Sequence, residues 1–139
     1  MFIVNVEAAI SKDGKWLIIE RSKHEEHAPG QLALVGGKVE TEGSQVNILE
    51  RTIIREVEEE VGVIIKSEMT YVQSTSFVTD YGASVVDVVF LCEYESGEAH
   101  EKNPDEVESV MWLTTEEILT NPNAPSYLKE SIKQAASLL

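Results

Sequence analysis

The residues most able to do chemistry lie between positions 36 and 63. Gly36-Gly37-Lys38-Val39-Glu40 is followed by a helical stretch that ends Arg55-Glu56-Val57-Glu58-Glu59-Glu60-Val61-Gly62-Val63. Four glutamates crowd positions 56–60. Two carboxylates ~5 Å apart repel by roughly 3 kcal/mol at an effective dielectric near 20. Such a cluster calls for a cation among its members. A glycine pair upstream lets backbone come close to a ligand. A glycine turn, a helix and clustered glutamates together point to a divalent-metal site for phosphate chemistry. An acidic amphipathic helix with no site is the plain alternative.

Helix geometry sorts the glutamates. At about 100° per residue, Val46, Leu49, Ile53 and Val57 form one stripe with Val61 beside it, and that stripe is the expected core face. Glu56 and Glu60 are i,i+4 neighbours on its border. Glu59 stands one step further round. This predicts Glu56, Glu60 and Glu59 half-buried, with Glu58 turned to solvent.

The elements that must position this helix read as follows. Phe2–Ile10 and Trp16–Arg21 form a hairpin around Lys12-Asp13-Gly14. A polar loop, Ser22–Gly30, carries His24 and His27. Gln31–Val35 is a short strand leading into the glycine pair. Ser44 is the expected N-cap of the helix and Gly62 its stop. Val63–Phe77 reads as one or two strands, with Tyr71 and Phe77 as core or pocket aromatics. Ser84–Tyr94 is a long apolar strand, interrupted by Asp87, which either faces a nucleobase pocket or points out of the sheet. After an acidic loop, Ser96–Pro104, comes the strand Val107–Leu113. Thr114-Thr115-Glu116-Glu117 is a capping box opening a short helix. Ser126–Leu139 is a final helix. The fold class is α+β, a mixed sheet with helices on its faces.

At 139 residues a single domain spanning 1–139 is expected. The hydrophobic fraction of 42% allows a full core. The single cysteine, Cys92, excludes an intrachain disulfide and reads as a buried thiol. No targeting or transmembrane segment is legible, so a cytoplasmic location is expected. The net charge of −14 argues against a nucleic acid polymer or an anionic membrane as partner. An anionic substrate would then need bound divalent cations to invert the local field.

The run from Arg55 to Val63 resembles the second half of the Nudix box, R-E-U-x-E-E-x-G-U with U aliphatic, at every constrained position. Gly37 resembles the glycine that opens the box, and the order of strands and helices is similar to the Nudix fold, an α/β/α sandwich, across essentially the whole chain. The first half departs. The family pattern G-x5-E-x7-R-E, counted back from Arg55, sets Asn47 where the family has glutamate and Thr41 where it has glycine. Taking Gly37 as the opening glycine requires four extra residues, about one helical turn, expected at the helix start. Glu42 or Glu50 is a candidate substitute for the missing glutamate. Leu32 and Val35 replace the familiar Trp and Pro.

The resemblance implies a hydrolase that cleaves a diphosphate bond in a nucleoside diphosphate linked to a group X, using Mg²⁺ or Mn²⁺. Carried over by position, Glu56, Glu59 and Glu60 are metal ligands with the Gly37 carbonyl. Arg55 orients them and Glu56 is a candidate base. Outside the box, Glu106 matches a further metal-binding glutamate of some MutT-like members; a solvated loop acid is its alternative. Arg21 either holds a substrate phosphate or makes a surface ion pair. Tyr81 lies near a tyrosine kept by some dinucleoside-polyphosphate hydrolases, with a turn tyrosine as the default. A nucleoside triphosphate, including an oxidised one, is the leading substrate class, with ADP-ribose or a sugar nucleotide as alternatives. A non-catalytic nucleotide-sensing module is the rival from another class. The resemblance is also compatible with a homodimer.

Overall fold

The computed structural model describes residues 1–26 and 28–139; His27 lies outside them. Its organising strand is β1 (Phe2–Lys12). β1 runs parallel to β7 (Ser84–Ser96) from Phe2↔Ser84 to Ser11↔Glu93. On its other side β1 pairs antiparallel with β4 (Val35–Lys38), Val6 opposite Gly37 and Glu7 opposite Gly36. Its far end turns through Asp13-Gly14, both at positive φ, into β2 (Lys15–Arg21). β2 in turn holds β3 (Leu32–Ala33) and β8 (Val107–Leu113). β6 (Thr70–Val78) lines the outer side of β7, whose end pairs with β5 (Ile64–Ile65).

Strand alternation assigns the two faces, because successive side chains point to opposite sides. Val6, Ala8 and Ile10 of β1, Leu17 and Ile19 of β2, and Val88, Phe90 and Cys92 of β7 meet Ile53, Val57 and Val61 of helix α1 (Ile48–Val61). The alternate residues Ala9, Trp16, Ile18 and Val89 meet Ile118 of α2 (Thr115–Leu119) and Leu128, Ile132 and Ala135 of α3 (Ser126–Ala136). The fold is therefore an α/β/α sandwich around a mixed sheet, as expected. Among the described residues, no helix is long and apolar enough to cross a membrane.

Several expectations hold in detail. Thr114 caps α2, its hydroxyl accepting from the Glu117 amide at 3.1 Å while Glu117 accepts from the Thr114 amide at 2.9 Å. Cys92 is buried, and burial pushes its thiol up to about 12. The Val63–Phe77 stretch resolves into two strands, β5 and β6.

Others need correction. Gly36-Gly37 is not a turn; both glycines lie within β4. Ser44 does not cap α1. The helix opens at Ile48 after Asn47, which sits in the left-handed region at φ 57 and makes no side-chain cap. The four extra residues therefore lengthen the loop over 39–47 rather than adding a helical turn. Val46, outside the helix, is 81% exposed and not part of the stripe. Tyr71 and Phe77 are not core residues; they are exposed on β6, because that strand borders the sheet and only part of one face is covered by α3. The last helix stops at Ala136.

Candidate active site

The site is built at the C-terminal end of α1, where three neighbours hold the helix in place. Gly62 ends it in the left-handed region at φ 72, its amide donating to the Glu58 carbonyl at 3.1 Å. A Cβ there would strike the His100 ring. The segment 100–103 then satisfies the terminal carbonyls that a helix leaves open. The His100 amide donates to Val61, and those of Lys102 and Asn103 to Glu60, at 3.0 to 3.3 Å. Lys102 Nζ adds an ion pair with Glu58 at 2.8 Å. Glu58 thus serves as an anchor of this segment rather than as idle surface charge. The same segment leads to Glu106, whose carbonyl accepts from the Ser22 amide at 3.0 Å.

This packing gathers Glu56, Glu60 and Glu106. Glu60 is buried, at 5% exposure, deeper than helix geometry alone predicts. The Glu106 and Glu56 carboxyls lie near enough to act on its charge. Burial first, then these like-charged neighbours, pushes its pKa up to about 9. Its Oε2 receives no hydrogen bond from any described donor. Glu56 is half-buried and also shifted upward, chiefly by desolvation; Arg55 pulls the other way and Glu59 adds to the rise. Arg55 Nη2 lies 3.3 Å from Glu56 Oε1. Glu59 is exposed, not half-buried, because the next step round the helix leaves the region covered by the sheet.

Gly37 faces this cluster from β4. Opposite Val6, it points to the α1 side, where a Cβ would overlap the Glu56 carboxyl. Gly36 faces the other way, and its Cβ would overlap the Val6 carbonyl oxygen. Close approach, not a left-handed turn, is what these two glycines provide.

The donor set can be tested against a divalent cation. Carboxylate and carbonyl oxygens suit hard cations such as Mg²⁺ and Mn²⁺. A buried carboxylate oxygen without a donor, among carboxyls that raise one another's pKa, is what a cation would relieve. The residues fit in chemistry. Their spacing is looser than a bound ion would impose: among the described residues, no three His, Cys, Asp or Glu side chains stand close enough to hold a metal ion.

The remaining candidates scatter. Arg21 ends β2 and pairs with Glu25 at 3.2 Å. Glu42 pairs with Arg51 at 3.1 Å, tying the loop to the first turn of α1, whereas Glu50 has no such contact among those described. His24 and Tyr81 are exposed. Asp87 is buried on the α3 side of the sheet, where Asn5 Nδ2 donates to it at 2.7 Å. Sequence reasoning missed its neighbour Glu7. The available signal was a lone acid inside the largely apolar run Val4–Ile10.

The NUDIX domain model matches residues 1–134. No curated protein matches the chain. Among solved structures, a MutT NUDIX hydrolase from Burkholderia pseudomallei is 28% identical, with a TM-score of 0.80 over 96% of this chain and 98% of that one. A MutT protein from Methanosarcina mazei Go1 is 24% identical, TM-score 0.79, over 99% and 94%. The NUDIX domain of Shewanella oneidensis NrtR, complexed with ADP ribose, shares 20% identity and a TM-score of 0.79 over 99% and 88%. With the family model covering nearly the whole chain and the box glutamates gathered at one helix end, this chain belongs to the NUDIX family and is a hydrolase of pyrophosphate bonds.

Proposed function

We propose that the chain cleaves a diphosphate bond in a nucleoside triphosphate, or in another nucleoside diphosphate linked to a group X, with Mg²⁺ or Mn²⁺, in the cytoplasm. The observation that carries this reading is the buried Glu60 carboxyl, lacking a donor and facing Glu56 and Glu106. Glu56, Glu60 and Glu106 would hold the cation with the Gly37 carbonyl, and Glu59 would reach it from the solvent side. When bound, the cation supplies neutralisation of phosphate charge.

The residues of the chain do the rest. Glu56, half-buried and held by Arg55, is placed to take a proton from the attacking water. The water oxygen bonds to phosphorus as the bridging P–O bond breaks, and the leaving phosphate carries away the electron pair. Arg55 fixes the orientation of Glu56 through its charge-assisted contact. Arg21, at the end of β2, can exchange Glu25 for a substrate phosphate, since an ion pair of two partly exposed side chains is weak.

A phosphate-release screen over nucleoside triphosphates, ADP-ribose, sugar nucleotides and diadenosine polyphosphates, with Mg²⁺ and with Mn²⁺, tests this. The expected result is metal-dependent turnover of one class, lost in Glu60→Gln. Full activity in Glu60→Gln would refute the site. Nucleotide binding without turnover at any metal concentration would instead indicate a sensing module.

A further inference from the structure

A second carboxyl cluster lies on the opposite face of the sheet, and the chemistry above does not use it. Glu7 of β1 alternates with Val6 and Ala8, so it points to the α3 side. Asp87 of β7 alternates with Val88 and points the same way. The parallel register sets Asn5 beside Asp87, and the Asn5 amide donates to the Asp87 carboxylate at 2.7 Å. Glu7 stands one same-face step beyond Asn5 on β1, which brings its carboxyl near that of Asp87. Burial holds the Glu7 pKa well above the usual range, and the Asp87 charge adds to this; the field of Arg21 opposes it without cancelling it. Asp87 is 8% exposed, while Glu7 keeps part of its surface open to solvent.

Two carboxyls in the middle of a largely apolar pair of strands are costly to keep. A buried acid pair that keeps partial solvent access is a candidate for meeting a ligand. Their surroundings suit a flat polar ligand. Tyr127 of α3 is 50% exposed and feels the charges of both Glu7 and Asp87. Phe77 of β6 is 43% exposed; it pairs with Val85, one same-face step from the Thr75–Asp87 pair. Exposed rings offer stacking surface to a nucleobase.

Register also links this face to the phosphate chemistry. Gly37 faces Glu56, and Gly36, the next residue, lies opposite Glu7. The β1–β4 register therefore sets the two carboxyl clusters on either side of the same glycine pair.

We propose that Glu7 and Asp87, steadied by Asn5, accept hydrogen bonds from the exocyclic amino group of a substrate nucleobase flanked by Tyr127 and Phe77, and thereby set base preference. The inference rests on the nucleotide-hydrolase reading above. It names an amino-bearing base as the ligand, because a carboxyl pair is rich in acceptors and a carbonyl-only edge leaves them unmet.

Two substrate pairs differ at the amino group. dGTP and dITP differ by its presence, and dCTP and dUTP by its replacement with a carbonyl. The experiment measures kcat/KM for all four with Mg²⁺ and Mn²⁺, together with metal-free calorimetry of the corresponding monophosphates. In any pair that is turned over, the amino-bearing member should be preferred about tenfold or more. Glu7→Gln and Asp87→Asn should each shrink that ratio to about threefold or less, while Glu7→Gln melts no lower than wild type. Equal kcat/KM within both pairs would overturn the inference and leave the hydrolase reading standing. So would an unchanged ratio in both folded variants. If the variants do not fold, the wild-type comparison decides alone. No turnover of any of the four would defeat the nucleoside-triphosphate reading, and this inference with it.

Discussion

The two ends of α1 are built differently. At its C-terminal end, Gly62, the 100–103 amides and the Lys102–Glu58 pair fix the last turn. At its N-terminal end, Asn47 adopts φ 57 with no side-chain cap, and a long loop is tied down by the exposed Arg51–Glu42 pair. Every carboxyl of the candidate site sits at the first end. The departure from the family pattern, Asn47 for glutamate and four added residues, falls at the second. A helix anchored where its candidate site lies can tolerate an irregular start, because displacement at the far end need not reach the last two turns.

Substitutions at both ends test this contrast, the largest effect first. Glu60→Gln should lower kcat by about 100-fold or more, the scale for removing one electrostatic element of a transition-state site. In metal-free buffer at neutral pH the same variant should be more stable than wild type by on the order of 1 kcal/mol, because an amide removes the cost of holding the buried Glu60 carboxyl protonated. Steady-state kinetics and calorimetry on one preparation would show both. Gly37→Ala should be next. Its methyl would displace the Glu56 carboxyl, at a cost of about 1–3 kcal/mol in stability and roughly tenfold or more in kcat/KM. If activity is retained, the glycine is not needed for the site.

Gly62→Ala tests the anchor itself. An L-residue in the left-handed region costs roughly 1–2 kcal/mol, and the His100 ring must also give way. Thermal unfolding should fall by about 3–6 °C, with a few-fold loss of activity as the last turn loosens. The smallest effects belong to the other end. Ser44→Ala and Asn47→Gly should each change stability by no more than about 0.5 kcal/mol and leave kcat/KM unaltered. A large kinetic effect of Asn47→Gly would show that the helix start matters as much as its finish.

What could be read from the sequence follows the same division. Local signals were sufficient at the C-terminal end: Ile53, Val57 and Val61 form the buried stripe, and Gly62 stops the helix. The Thr114 capping box is also a purely local device. The helix start was misplaced because Ser44 carries cap chemistry, while Asn47 opens the helix through a backbone conformation that its loop imposes. The burial of Glu60 was underestimated because it depends on residues 100–106, far along the chain. Glu59 was placed too deep for the related reason that helix geometry gives angles, not what lies over them. The glycine pair gave the right neighbourhood by the wrong mechanism: a strand needing close approach looks like a turn in sequence. Glu7 was passed over because only the β1–β7 register reveals its partner.

That register also constrains how the molecule acquires its shape. Contacts between β1 and β7 join residues about eighty positions apart, and the chain between them must be gathered before they can form. Loop closure of this length delays the central pairing relative to local hairpins and helices. The 2–12 and 15–21 hairpin can form early, but its first strand must wait for residue 84 onward before gaining its parallel neighbour. During biosynthesis, the Glu7–Asp87 pair and the sheet that supports α1 therefore come together in one late event, and β1 keeps the edge that receives β7 open until then.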